Sequence, residues 1–119
     1  MTTDITVRRN GDICILDISG RIVLGSGDIV LRKKMEELLK GGNRLFIFNM
    51  TQVPYVDSAG IGETFACKEL AAEKNGMVKI VLKPDQPTYR VFEKSLLAQV
   101  VEIFSDEEEA IASFASEST

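Results

Sequence analysis

Apolar and polar residues alternate from residue 4 to residue 9. Ile5 and Val7 fall on one side of the chain and Thr6 and Arg8 on the other, the period of a strand. Asn10-Gly11 follows, a strong two-residue hairpin signal. Residues 12–19 read as the return strand, with Cys14, Leu16 and Ile18 on one face and Ile13 and Ile15 on the other. The period then changes. Leu31, Met35, Leu38 and Leu39 recur at helical spacing, while Arg32, Lys33, Lys34, Glu36 and Glu37 take the solvent side. Ser26 or Asp28 suits the cap of this helix and Gly41-Gly42 its end. Residues 44–50, RLFIFNM, are a short continuous apolar run, the mark of a strand buried on both faces and central in its sheet.

The second half repeats the theme. A helix is predicted from about Ala59 to Asn75, ended by Gly76, with Ile61/Phe65 and Ala66/Leu70 as inward-facing i,i+4 pairs. Residues 77–82 make a strand. Pro87 suits the first turn of a further helix, packed through Val91, Phe92 and Leu96. Residues 98–104 make a last strand. Ser105 and Glu108 have capping-box spacing, acidic residues 106–109 suit a helix N-terminus, and Ile111, Phe114 and Ala115 give the final helix its inner face. The tail, residues 116–119, is polar and expected to fray. A hairpin followed by alternating strand and helix predicts an α/β domain with a mixed sheet and right-handed crossovers. The whole chain, 1–119, reads as one domain, ordered over about 3–116.

Composition narrows the chemistry. The chain is 119 residues long, 45% apolar and 27% charged, with a net charge of −4. It shows no basic stripe for nucleic acid, no run long enough to span a membrane and no apolar leader. Histidine is absent, which removes Ser-His-Asp and Cys-His catalysis and the commonest metal ligand. No cofactor is expected. Cys14 and Cys67 lie in apolar surroundings and read as reduced core thiols of a cytoplasmic protein. The Gly-Ser-Gly at residues 25–27 lacks the Gly-Lys-Ser/Thr of a phosphate loop and reads as a flexible lead into a helix.

Unusual residues concentrate in Val53 to Gly62, VPYVDSAGIG. Pro54 breaks a strand, Asp57-Ser58 has the chemistry of a helix start, and Gly60 and Gly62 follow within the first turn. Each glycine costs a helix about 1 kcal/mol relative to Ala, so close approach to the backbone is expected there, by the sheet or by a partner. The stretch also follows the central strand, beyond whose carboxyl end sites gather in such folds.

Residues 53–63, VPYVDSAGIGE, resemble the signature of the STAS domain, named for sulphate transporters and antagonists of anti-sigma factors. Its core is Asp-Ser, then Ser or Ala, Gly, Leu or Ile, and Gly, places filled by Asp57, Ser58, Ala59, Gly60, Ile61 and Gly62. GRIVLGSG, the Gly-Gly after the first helix, RLFIFNM and the acidic last helix also have counterparts there. Val23 and Asn49 stand where many members carry acidic residues. The resemblance implies a non-enzymatic anti-sigma factor antagonist, monomeric or weakly dimeric. Its partner would be an ATP-using serine kinase that is itself the anti-sigma factor. Phosphorylation of Ser58 would release that partner, and a metal-dependent (PP2C-type) phosphatase would reverse it. Partner contacts would fall on Asp57, Ser58, Ala59, Gly60, Ile61, Gly62, Glu63 and Arg21. The alternative within the family is an unswitched scaffold, in a stress-sensing assembly or a lipid-transport complex.

Overall fold

Every step from one strand to the next moves in the same direction across the sheet. The computed structural model describes residues 3–117 and orders its five strands as they occur in the chain: β1 (Asp4–Asn10), β2 (Ile13–Ser19), β3 (Leu45–Gln52), β4 (Met77–Val81) and β5 (Ile103–Phe104). β1 and β2 are antiparallel, and the rest pair in parallel. Right-handed crossovers that all step one way must put their helices on one face. α1 (Gly27–Lys40), α2 (Ser58–Glu73) and α3 (Pro87–Glu93) accordingly share one core with Cys14, Leu16, Ile18, Phe46, Phe48, Met50, Val78 and Ile80. α4 (Glu107–Glu117) alone covers the other face, packing Ala110, Ile111 and Phe114 on Ile13, Ile15, Ile47 and Val81. The expected α/β domain with a mixed sheet, an N-terminal hairpin and following β/α units is observed. β3 is its central strand, and each of its large side chains that is fully buried contributes roughly 1.5–3 kcal/mol.

Several local expectations give way to packing. The hairpin loop is Gly11-Asp12, since Asn10 still pairs with Ile13. Neither Ser26 nor Asp28 caps α1 in the expected way: among the described residues the Ser26 side chain makes no cap bond, and Asp28 accepts only from the amide of Ile29 beside it. In α2 the buried positions are the small residues Gly60, Thr64, Cys67 and Ala71, which let the helix lie close to the sheet. Phe65 is pushed outward and Ile61 lies at the edge of the core. The left-handed residue after α2 is Asn75, at φ 65°, while Gly76 is needed because a Cβ there would overlap the carbonyl of Arg44. Only Ile103 and Phe104 pair as the last strand. Leu96–Gln99 form a 3-10 turn that buries Leu97 and leaves Leu96 exposed, as Val91 is in α3. α4 starts one residue later than the Ser105 cap requires. Asp106 accepts from the Glu108 amide at 3.3 Å, and Ala110 takes the inner position assigned to Ala115. α4 reaches Glu117, into the tail expected to fray, and residues 118 and 119 lie outside the described region.

Two polar features anchor α4. Arg8 of β1 holds Asp17 of β2 at 2.8 Å and Glu107 at 2.7 Å, and Glu107 also accepts from Asn49 of β3 at 3.0 Å. Beneath the helix, buried Lys79 donates to Ser113 Oγ at 2.6 Å, lies 3.3 Å from the Glu102 carboxylate and sits 4.3 Å from the Phe114 ring centroid. The ammonium is thus fully engaged where an unpaired charge would be costly.

Candidate functional site

Two loops leave the carboxyl ends of β2 and β3 and run side by side as a continuation of the parallel ladder. The amide of Gly20 donates to Gln52 at 3.2 Å, that of Ile22 to Tyr55 at 3.1 Å, and that of Asp57 back to Ile22 at 3.3 Å. Ile22 and Val56 form a further bridge and are buried. The chain between β3 and α2 is therefore held as firmly as a strand although it contains Pro54.

Asp57 joins this ladder to α2. One carboxylate oxygen accepts from the Gly60 amide at 2.9 Å, the N-cap bond that Asp-Ser predicts, and the other accepts from the Leu24 amide at 3.1 Å. These donors, Gly60 first and then Leu24, hold the Asp57 carboxyl below the usual carboxylate range. Gly60 is buried, and a Cβ there would overlap the carbonyl oxygen of Ile22 and Cγ2 of Val56. Close approach by the protein's own backbone is thus the reason for Gly60. Gly62 has no such neighbour: the space around it is open and the residue is exposed.

Ser58 occupies the first position of α2, exposed, and among the described residues its hydroxyl has no hydrogen-bond partner. Ala59 and Ile61 are half-buried beside it. Arg21 is exposed on the neighbouring loop, with its guanidinium 5.1 Å from the ring centroid of Tyr55. Glu63 points elsewhere. Its carboxylate accepts from Arg32 Nε at 2.6 Å and from the Cys67 thiol at 3.6 Å, tying α2 to α1. Burial, with Glu63 adding to it, pushes the Cys67 thiol up, and burial does the same to Cys14. Both thiols are free. Among the described residues there is no cluster of His, Cys, Asp and Glu able to hold a metal, and no helix is long and apolar enough to cross a membrane.

Sequence reasoning missed the apolar rim. Leu24 is 76% exposed, Tyr55 49% and Phe65 41%; Leu24 and Tyr55 belong to the two paired loops and Phe65 to α2. Ile61, Gly62, Phe65, Leu96 and Leu97 line an apolar cleft along α2. Nothing in the pattern separates these side chains from core residues, because a loop has no period and Phe65 sits at helical spacing. Large apolar groups exposed next to a free hydroxyl make a surface suited to another protein.

Known structures share this fold. An anti-sigma factor antagonist from Mycobacterium paratuberculosis superposes with a TM-score of 0.82 at 14% identity, over 94% of this chain and 93% of that one. The Bacillus cell fate determinant SpoIIAA in its phosphorylated form gives 0.64 at 21% identity, over 93% and 99%. The anti-sigma factor antagonist SpoIIAA in its unphosphorylated form gives 0.65 at 19%, over 94% and 98%. These likenesses establish the fold. No curated protein matches the chain in sequence. The model of the STAS domain family, however, matches residues 4–110, and the chain belongs to that family.

Proposed function

We propose that this chain is an anti-sigma factor antagonist: a cytoplasmic, non-enzymatic module that binds an ATP-using serine kinase acting as the anti-sigma factor, and that phosphorylation of Ser58 switches it off. One observation carries the reading. The start of α2 is already capped by Asp57 and fixed by Gly60, so the Ser58 hydroxyl is left unused on a firm, apolar-rimmed surface. A phosphate on Ser58 carries roughly −1.5 to −2 charges. The free N–H groups of a helix start favour it slightly and Asp57 opposes it, so the isolated module keeps its fold. Pressed against a partner without a matching cation, the same group must be desolvated, at a cost of several kcal/mol. A PP2C-type phosphatase would restore the binding form.

Incubation with the kinase and ATP, followed by mass spectrometry and calorimetry, tests this. Ser58→Ala should bind the kinase and resist modification. The phosphorylated protein should bind at least about a hundredfold more weakly. Equal affinity of the two forms would reject the switch and leave the unswitched scaffold.

A further inference from the structure

A second recess opens at the same end of the sheet, at the carboxyl ends of β2 and β3 and the start of α3. It is an open recess of about 630 Å³, in the roughly 300–1,000 Å³ range of small-molecule sites. Asp4, Ser19, Thr51 and Gln52 supply its polar groups, and Pro54 and Pro87 its exposed apolar surface, over the buried Val53. The strands are irregular here. Asp17 faces Asn49 and Ser19 faces Gln52, so β3 carries one residue more than β2 over this step. Such bulges re-aim side chains and recur beside binding sites.

The polar groups divide into two sets. Thr51 Oγ1 donates to Asn49, and Gln86, at the rim, bonds the backbone of residues 50, 53 and 83. The side chains of Asp4, Ser19 and Gln52 make no hydrogen bond among the described residues. A carboxylate, a hydroxyl and an amide, with acceptors not used by the described residues, thus line one recess. Among the described residues, no Lys or Arg lines it. An anion would meet Asp4 with no cation to offset it. Adjacent hydroxyl groups, by contrast, match a carboxylate and an amide, and the CH face of a ring can lie on the exposed Pro54 and Pro87.

We infer that this recess binds a small, uncharged polyhydroxylated molecule of the monosaccharide or cyclitol class. The inference is independent of the role of Ser58. Its test is a nuclear magnetic resonance titration of the full chain with D-glucose, D-ribose and myo-inositol, each up to about 50 mM, with D-glucose 6-phosphate as the anionic counterpart. At least one of the three neutral compounds should produce saturable shifts of the Ser19, Gly20, Thr51 and Gln52 amides. Gln52→Ala and Asp4→Ala, both at exposed positions, should weaken that binding at least about fivefold while leaving the rest of the spectrum in place. No saturable shift from any neutral compound would overturn the inference. So would tighter binding of the phosphate ester, or variants that bind like the parent.

Discussion

Two helices of this chain begin with an aspartate, and they begin differently. At α2, Asp57 reaches both the helix and the neighbouring loop, and backbone contacts through Ile22 and Gly60 complete the join. At α4, Asp106 makes a long 3.3 Å bond, and the helix is held by Glu107, which spends its carboxylate on Arg8 and Asn49. A start built from backbone leaves its first side chain free for other molecules. A start built from side chains consumes them. The free hydroxyl of Ser58 follows from the first arrangement, and the carboxylate of Glu107 at α4 is spent on its own fold.

The contrast predicts a graded series of substitutions. The largest effect belongs to Gly60→Ala, which drives a methyl into the Ile22 carbonyl and should cost roughly 3 kcal/mol in urea unfolding. Asp57→Ala removes the N-cap and the loop tie, and should lower Tm by about 5 °C. Glu107→Gln at α4 should cost only about 0.5–1 kcal/mol, because Arg8 is half in solvent and the pair is screened. Its signature lies in pH. The Arg8 hydrogen bond, aided by Asn49, holds the Glu107 carboxyl below its ordinary value of 4.5. A folded-state value that is depressed means the unfolded chain binds more protons in that window. The contribution of Glu107 is therefore present above about pH 4.5 and is lost as pH falls through the folded value. The stability difference between parent and Glu107→Gln should be full at pH 7 and should shrink as pH is lowered below about 4.5. Smallest is Gly62→Ala, two residues from Gly60, which should be neutral or stabilise by up to about 1 kcal/mol through helix propensity. Gly62→Leu should leave Tm unchanged and weaken partner binding by calorimetry. If Gly60→Ala and Gly62→Ala melt alike, the proposed division between backbone and partner at this helix start is wrong.

Much of this was legible in the residues. Alternation at Ile5/Val7 and at Cys14/Leu16/Ile18 identified the hairpin, and the unbroken RLFIFNM marked the central strand, because a strand covered on both faces has no reason to alternate. On α2 the expected Ile61 and Leu70 do pack against the core, but Phe65 does not, because size does not decide burial there. Gly60, Thr64, Cys67 and Ala71 are small where helix and sheet must approach, and bulky Phe65 is left on the outside. Leu96 and Leu97 are adjacent and equally apolar, and only the 3-10 turn decides which enters the core. Of the site, Asp57, Ser58 and Gly60 stood out by local chemistry. Leu24 did not, since its amide reaches Asp57 across 33 positions of chain, and no local pattern encodes that meeting. Glu63 stood beside the signature, yet its pairing with Arg32 depends on how α1 and α2 cross.

The paired loops have a consequence for how Ser58 can be reached. Their amides are hydrogen-bonded like those of a sheet, so Ile22, Asp57 and Gly60 should exchange hydrogen on the timescale of the core strands, despite lying in or next to loops. A segment held in that way resists being drawn out into an enzyme's groove as an extended peptide, because opening it would break the bonds that pair the two loops. Under the proposed switch, an enzyme modifying Ser58 would bring its catalytic groups to a folded surface, and its selectivity would rest on relief and curvature around the hydroxyl more than on the order of residues beside it.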